Sequence, residues 1–242
     1  MSSVSLIARR EIAAYFNTWT GYIITIAYLV ITSSLFHAMV AGSQPKFSNQ
    51  MLYDFFYFPG GVIIAAAIFL GMRLIAEEKQ LGTAVLLFTS PISARQIIYG
   101  KFLSSLIILM ILLLMSAYMP ALIYVYGKIS LGHLAAGYLC LLLLGSCALA
   151  VTLFMSTATS HQLVAAILGA VLIAVFLMIW MLADKVDPPF KNIFAYLAIH
   201  NDHFNGMANG IIHTRSLIYY FSFIWLFLEF SVRVLDARRW RG

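Results

Sequence analysis
Apolar residues run along this chain in six long blocks, each separated from the next by a short polar or turn-forming stretch. A helix rises about 1.5 Å per residue, so crossing roughly 30 Å of hydrocarbon takes about 20 residues. Six blocks meet that length, near residues 20–42, 57–76, 98–126, 131–156, 162–184 and 216–235. Gly42, Ser43, Gln44, Pro45 and Lys46 close the first, and Gly127, Lys128 and Ser130 close the third. Residues 156–162 close the fourth, and a mixed stretch over 184–215 precedes the sixth. The pattern predicts an all-α membrane protein with six transmembrane helices in one transmembrane domain over 1–242, and it contains no internal repeat.

Local patterning adds detail to this frame. Residues 4–17 alternate Leu6, Ile7, Ile12, Ala13 and Phe16 with Ser5, Arg9 and Asn17, which predicts an amphipathic N-terminal helix lying along the membrane interface. Arg9 and Arg10 ahead of an apolar run resemble a secretory signal, but a run of about 20 residues suits a spanning helix better than the 7–15 apolar residues of a signal. Pro120, flanked by Tyr118, Tyr124 and Tyr126, predicts a kink in the third span. Ala65, Ala66, Ala67 and Gly71 offer a small-residue face for close helix packing in the second.

Composition agrees: 62% of residues are hydrophobic, 10% are charged, and the mean hydropathy is +0.93, outside the soluble globular range. Cytoplasmic loops of membrane proteins carry the excess of Lys and Arg. With both termini inside, Arg9, Arg10, Arg73, Lys79, Arg95, Lys101, Arg233, Arg238, Arg239 and Arg241 are cytoplasmic, ten against five for Lys46, Lys128, Lys185, Lys191 and Arg215. The net charge of +6 is thus a topology signal and a contact with anionic lipid, and no soluble basic face for nucleic acid is predicted. Trp19 and Trp180 fall near span ends, where interfacial anchors sit.

Candidate chemistry is sparse. No phosphate-binding G-x-x-x-x-G-K-[ST] loop is present, since Phe102 follows Gly100 and Lys101, and no H-E-x-x-H or G-x-S-x-G motif occurs. His200, Asp202, His203 and His213 cluster in sequence, but their spacing matches no zinc signature and reads as polar loop residues. Cys140 and Cys147 lie seven apart in one helix, about 10 Å along its axis, too far to join and suited to packing. Glu229 is the best candidate for an ionisable group in a span, and Arg233 four residues on is placed to pair with it.

The most informative stretch is "RLIAEEKQLGTAVLLFTSPISARQIIYGKFL", between the second and third spans. Residues 73–80 continue the second helix out of the membrane, Gly82 and Thr83 permit a bend, and residues 84–88 supply an apolar turn or two. Pro91 favours a break, and Ser93 is suited to capping the helix that runs through Arg95 into the third span. Pattern alone leaves two readings open: a connector carrying its positive charges, or a docking element for a cytoplasmic partner.

At these positions the chain resembles the permeases of ABC-2 type transporters, through Glu77, Glu78, Gly82, Thr83, Leu87, Pro91, Ile92, Ser93, Ile97, Gly100 and Lys101. The C-terminal part resembles the gliding-motility-type branch through His203, Phe204, Gly210, Ile212, Arg215, Tyr219, Tyr220, Arg238, Arg239 and Trp240. Val85 stands where the family often has Glu, and His213 and Ser216 where that branch commonly has acidic residues. The resemblance implies a bacterial inner-membrane permease, itself non-catalytic and without a cofactor, with a cytoplasmic coupling helix between spans two and three. It implies two partners: a second permease subunit, the same or homologous, and a separate ABC ATPase that binds ATP and Mg²⁺. It also implies that Glu77, Glu78, Gly82, Thr83, Leu87, Pro91, Ser93 and Arg95 couple the two. An ion-coupled carrier working through Glu229 and a membrane scaffold turning ATP hydrolysis into envelope assembly or motility are the alternatives.

Overall fold
In a computed structural model of the chain, residues 3–41, 47–83, 92–126, 129–183, 185, 190–200 and 202–239 are described. Among them there is no strand. The elements are α1 (Ser3–Asn17), α2 (Trp19–Leu35), a π-helical end (Phe36–Ala41), α3 (Ser48–Gln80), α4 (Ala94–Met115), α5 (Tyr118–Tyr126), α6 (Leu131–Ala158), α7 (Gln162–Met178), α8 (Trp180–Ala183), α9 (Phe190–Leu197), α10 (Asp202–Ala208) and α11 (Thr214–Arg239).

Among the described residues, five stretches are long and apolar enough to cross a membrane: Trp19–Ala38, Ser48–Gln80, Ala94–Val125, Leu131–Ala158 and Thr214–Arg238. The expected fifth span is α7, a shorter apolar helix of 17 residues that breaks at Ile179 before the single turn of α8. The second span begins earlier than its hydropathy predicts, at Ser48 rather than near 57. Asn49, Gln50 and Asp54 dilute the apolar signal there, yet Leu52, Phe55 and Phe56 are fully buried and hold these extra turns in the bundle.

α6 is the most deeply buried span, and α3, α11, α7 and α4 all pack on it. Small residues let them approach: Gly71 of α3 lies against Thr152 of α6, where an added Cβ would stand 2.8 Å from the Thr152 Cβ. Ser156 of α6 goes further and engages the α3 backbone. Its hydroxyl accepts from Ile75 N at 3.1 Å and Ala76 N at 2.9 Å, and donates to Met72 O at 3.0 Å. In hydrocarbon a hydroxyl must find partners within the protein, and this one finds them across a turn of the neighbouring helix.

The expected kink in the third span is a break between α4 and α5 at Ser116 and Ala117. Proline clashes with the carbonyl four residues earlier, and Ser116 is four before Pro120. The freed groups are taken up locally: Met119 N donates to Ser116 O at 3.1 Å, and the Ser116 hydroxyl to Leu113 O at 2.7 Å. α1 does more than skim an interface, because its Ile7 packs into α4 where Gly100 leaves room. A Cβ at Gly100 would meet the Ile7 Cβ and Cγ2 at 3.0 Å and Val4 O at 3.2 Å.

Gly100→Leu is therefore expected to force α1 off α4 and lower stability by about 1–3 kcal/mol, the usual cost of overpacking. Gly61→Ala, at a position of α3 where an added Cβ meets nothing within 4 Å, is expected to leave stability unchanged or raise it by up to about 1 kcal/mol. Thermal unfolding of the two variants in the same detergent separates these outcomes.

Candidate functional site
The ends of α1, α3, α4, α6 and α11 meet at one end of the bundle, and most of the chain's described ion pairs are there. At its centre is Lys101 of α4, whose side chain is 2% exposed. Its ammonium donates to Glu11 Oε1 of α1 at 2.9 Å and to Glu78 Oε1 of α3 at 3.0 Å. Arg10 reaches the same two oxygens, at 3.1 and 3.3 Å. Two cations thus share two carboxylates, and three helices are joined through them. Burial pushes the Glu11 carboxyl up, but the charge of Lys101 and the hydrogen bonds from Lys101 and Arg10 outweigh it and hold it below the ordinary value. Glu78 Oε2 is buried, and no donor among the described residues reaches it.

The rest of this end is fastened by similar means. Arg73 pairs with Glu77 one turn on, at 2.8 Å, and also donates to the Thr20 hydroxyl at the start of α2. Lys79 donates to Thr157 O and, at 3.0 Å, to Thr159 O, while Arg238 of α11 donates to Ala158 O. A helix leaves its last carbonyls without backbone partners, and these two cations satisfy them and oppose the negative end of the α6 dipole.

The sequence-predicted coupling residues divide as follows. Glu77 and Glu78 end α3 in the ion pairs just given. Gly82 takes the left-handed φ of 73° that the bend needs, and the Thr83 hydroxyl donates back to Glu78 O at 3.2 Å. Ser93 caps α4 as expected, in a reciprocal box: Gln96 N donates to its Oγ at 3.3 Å, and its own N–H donates to Gln96 Oε1 at 3.2 Å. Leu87, Pro91 and the short helix over 84–88 lie outside the described residues.

Glu229 does not pair with Arg233, which is exposed. Its carboxylate accepts from Arg95 of α4 at 3.0 Å and from the Tyr99 hydroxyl at 3.3 Å. Arg95 and Tyr99 are one turn apart and face α11 together, so the carboxylate is satisfied between helices instead of along its own. Lys101 is the residue that sequence reasoning undervalued, because it reads there as one more cytoplasmic charge. The available signal was its place seven residues into a strongly apolar helix.

Among the described side chains of the 200–213 stretch, His200 and His203 are engaged separately. His203 bonds Ser216 and Tyr196 O, and His200 stacks on Tyr57 with ring centroids 5.3 Å apart. Among the described residues no group of three or more His, Cys, Asp or Glu could hold a metal ion. Cys140 and Cys147 are buried free thiols packed against Phe204 O and Tyr220 O.

Lys101→Met would leave two partly buried carboxylates on Arg10 alone, and is expected to cost about 2–3 kcal/mol in thermal unfolding. Adding Glu11→Gln to it should recover part of the loss. Because the folded pKa of Glu11 is depressed, its stabilisation is complete above the ordinary value of 4.5 and is lost as pH falls below that through the folded value. The stability advantage of wild type over Glu11→Gln should therefore shrink in that acidic window, as unfolding curves collected across it will show.

Comparison with known proteins identifies the family of the chain. No curated protein matches the chain. The family described as ABC-2 family transporter protein matches residues 21–202, well over half of it. A helical bundle of membrane-spanning length, with its charges gathered at the connection between α3 and α4, is therefore that of an ABC-2 family permease, the family to which this chain belongs.

Proposed function
We propose that the chain is the permease of a gliding-motility-type ABC-2 transporter, lying in the bacterial inner membrane with both termini and the charged end cytoplasmic. It pairs with a second permease subunit and draws its energy from a separate ATPase, which binds ATP and Mg²⁺ and drives export or work on the envelope. The ATPase docks on the connection from Glu77 to Arg95, including Gly82, Thr83, Leu87, Pro91 and Ser93.

One observation carries this reading: both flanks of the connection are already tied to other helices. On the α3 side Glu78 holds Lys101 and Arg10, hence α4 and α1. On the α4 side Arg95 holds Glu229, hence α11. A displacement of the connection would be felt at once by α1, α4 and α11, which is what a drive from outside the membrane requires. The ten-to-five distribution of Lys and Arg supports placing this end in the cytoplasm. An ion-coupled carrier would need a carboxylate free to exchange its proton, and Glu229 is held by a cation and a hydroxyl.

Purification of the tagged chain from its native membranes in mild detergent tests the proposal. A soluble ATPase is expected to co-purify in stoichiometric amount, and to be lost when residues 77–93 are scrambled while the permease remains in the membrane. A preparation without any ATPase, or one that keeps it after scrambling, would overturn the docking role.

A further inference from the structure
At the opposite end of the bundle from Lys101, the first turn of α11 opens beside α9. Tyr196, His203, His213, Arg215 and Ser216 line a cavity there of about 290 Å³. None of these is acidic, and Arg215 makes no ion pair among the described residues. Its guanidinium lies instead over the Tyr196 ring, 4.6 Å from the centroid, which fixes the charge at the cavity wall without neutralising it.

The wall behind it is rigid. His203, 3% exposed, stacks on Tyr219 with centroids 4.2 Å apart and planes 11° from parallel. The Tyr196 carbonyl can only accept, so His203 Nε2 carries a proton at 3.2 Å from it, and in the neutral ring Nδ1 accepts from the Ser216 hydroxyl at 3.2 Å. Tyr219 and Tyr220 donate to Leu197 O at 2.7 Å and Ile199 O at 2.9 Å, pinning the segment between α9 and α10 onto α11. The N-terminal end of the 26-residue α11 adds its partial positive charge to the same place.

Arg215 also stands at the head of an apolar track. Ile218, Trp225 and Leu226 follow it on the same side of α11, all exposed. Beside it, α9 exposes Phe190, Ile193 and Leu197, as a helix lying at headgroup level would. A cationic pocket at the interface, above a strip of apolar side chains, matches a molecule with an anionic head and hydrocarbon tails.

We propose that this pocket binds the phosphodiester headgroup of an anionic phospholipid, with Arg215 as the principal charge on the phosphate, His213 beside it, and an acyl chain along Ile218 and Trp225. In the topology proposed above the lipid is in the outer leaflet, but binding does not depend on that topology or on any ATPase.

Native mass spectrometry of the purified chain in detergent, titrated with phosphatidylglycerol, phosphatidylcholine or inorganic phosphate, tests this. Wild type is expected to retain phosphatidylglycerol in preference to phosphatidylcholine, with no comparable retention of inorganic phosphate. Arg215→Gln should weaken phosphatidylglycerol binding about tenfold, the worth of one charge-assisted hydrogen bond. His213→Gln should weaken it less. Arg233→Gln, an exposed cation at the other end, should leave this component unchanged and so corrects for lipid gathered by the basic end. Equal binding by wild type and Arg215→Gln, equal retention of the two lipids, or inorganic phosphate matching the lipid would each overturn the proposal. A melting curve of each variant separates a lost site from a lost fold.

Discussion

A charge placed where water cannot reach must be neutralised by the protein itself, and Lys101 is where this chain meets that demand. Its ammonium is buried in the third span, and the carboxylates that answer it come from two other helices, Glu11 on α1 and Glu78 on α3. Lys101 depends on both carboxylates, which it shares with Arg10. The seating of α1 on α4, the exit angle of α3 and the start of the connection that follows are therefore one problem with one solution. Gly100, next to Lys101, allows the backbones close enough for the side chains to reach.

The two ends of the bundle are secured by different chemistry. At the Lys101 end, cations bind carboxylates or cover bare helix carbonyls, as Lys79 and Arg238 do at the end of α6. At the other end, aromatic rings and hydroxyls bear most of the load: Tyr219 and Tyr220 hold the segment between α9 and α10, Tyr53 donates to Asn205 at 3.0 Å, and His133 contacts Ala208 O at 2.8 Å. Four residues of the C-terminal resemblance, His203, Phe204, Tyr219 and Tyr220, are among these fasteners.

Much of this was legible in the sequence because local physics decides it. Hydropathy placed the long spans, Pro120 placed the break before α5, and Ser93 marked the cap of α4. What escaped was pairing between helices. Spacing along one helix offered Arg233 to Glu229, but α4 delivers Arg95 and Tyr99 to it, and nothing in a linear pattern ranks a partner 134 residues away against one four residues away. The early start of α3 was hidden for a related reason: Asn49, Gln50 and Asp54 lower the local hydropathy, while the burial of Phe55 and Phe56 depends on neighbours from elsewhere in the chain. α1 likewise read as a helix on a surface because its partner, α4, is some ninety residues further on.

The Ser156 hydroxyl, lodged across one turn of α3, sets the scale of any movement the bundle can make. Bonded at Met72, Ile75 and Ala76, with Lys79 gripping the end of α6 just beyond, α3 cannot slide along α6 without losing several hydrogen bonds together. The two helices are obliged to swing as a unit. α3 is 33 residues long, about 50 Å at 1.5 Å per residue, so a joint tilt of roughly 10° displaces one of its ends relative to the other by about 9 Å. A small angle deep in the bundle and a large stroke at the connection are thus the same motion.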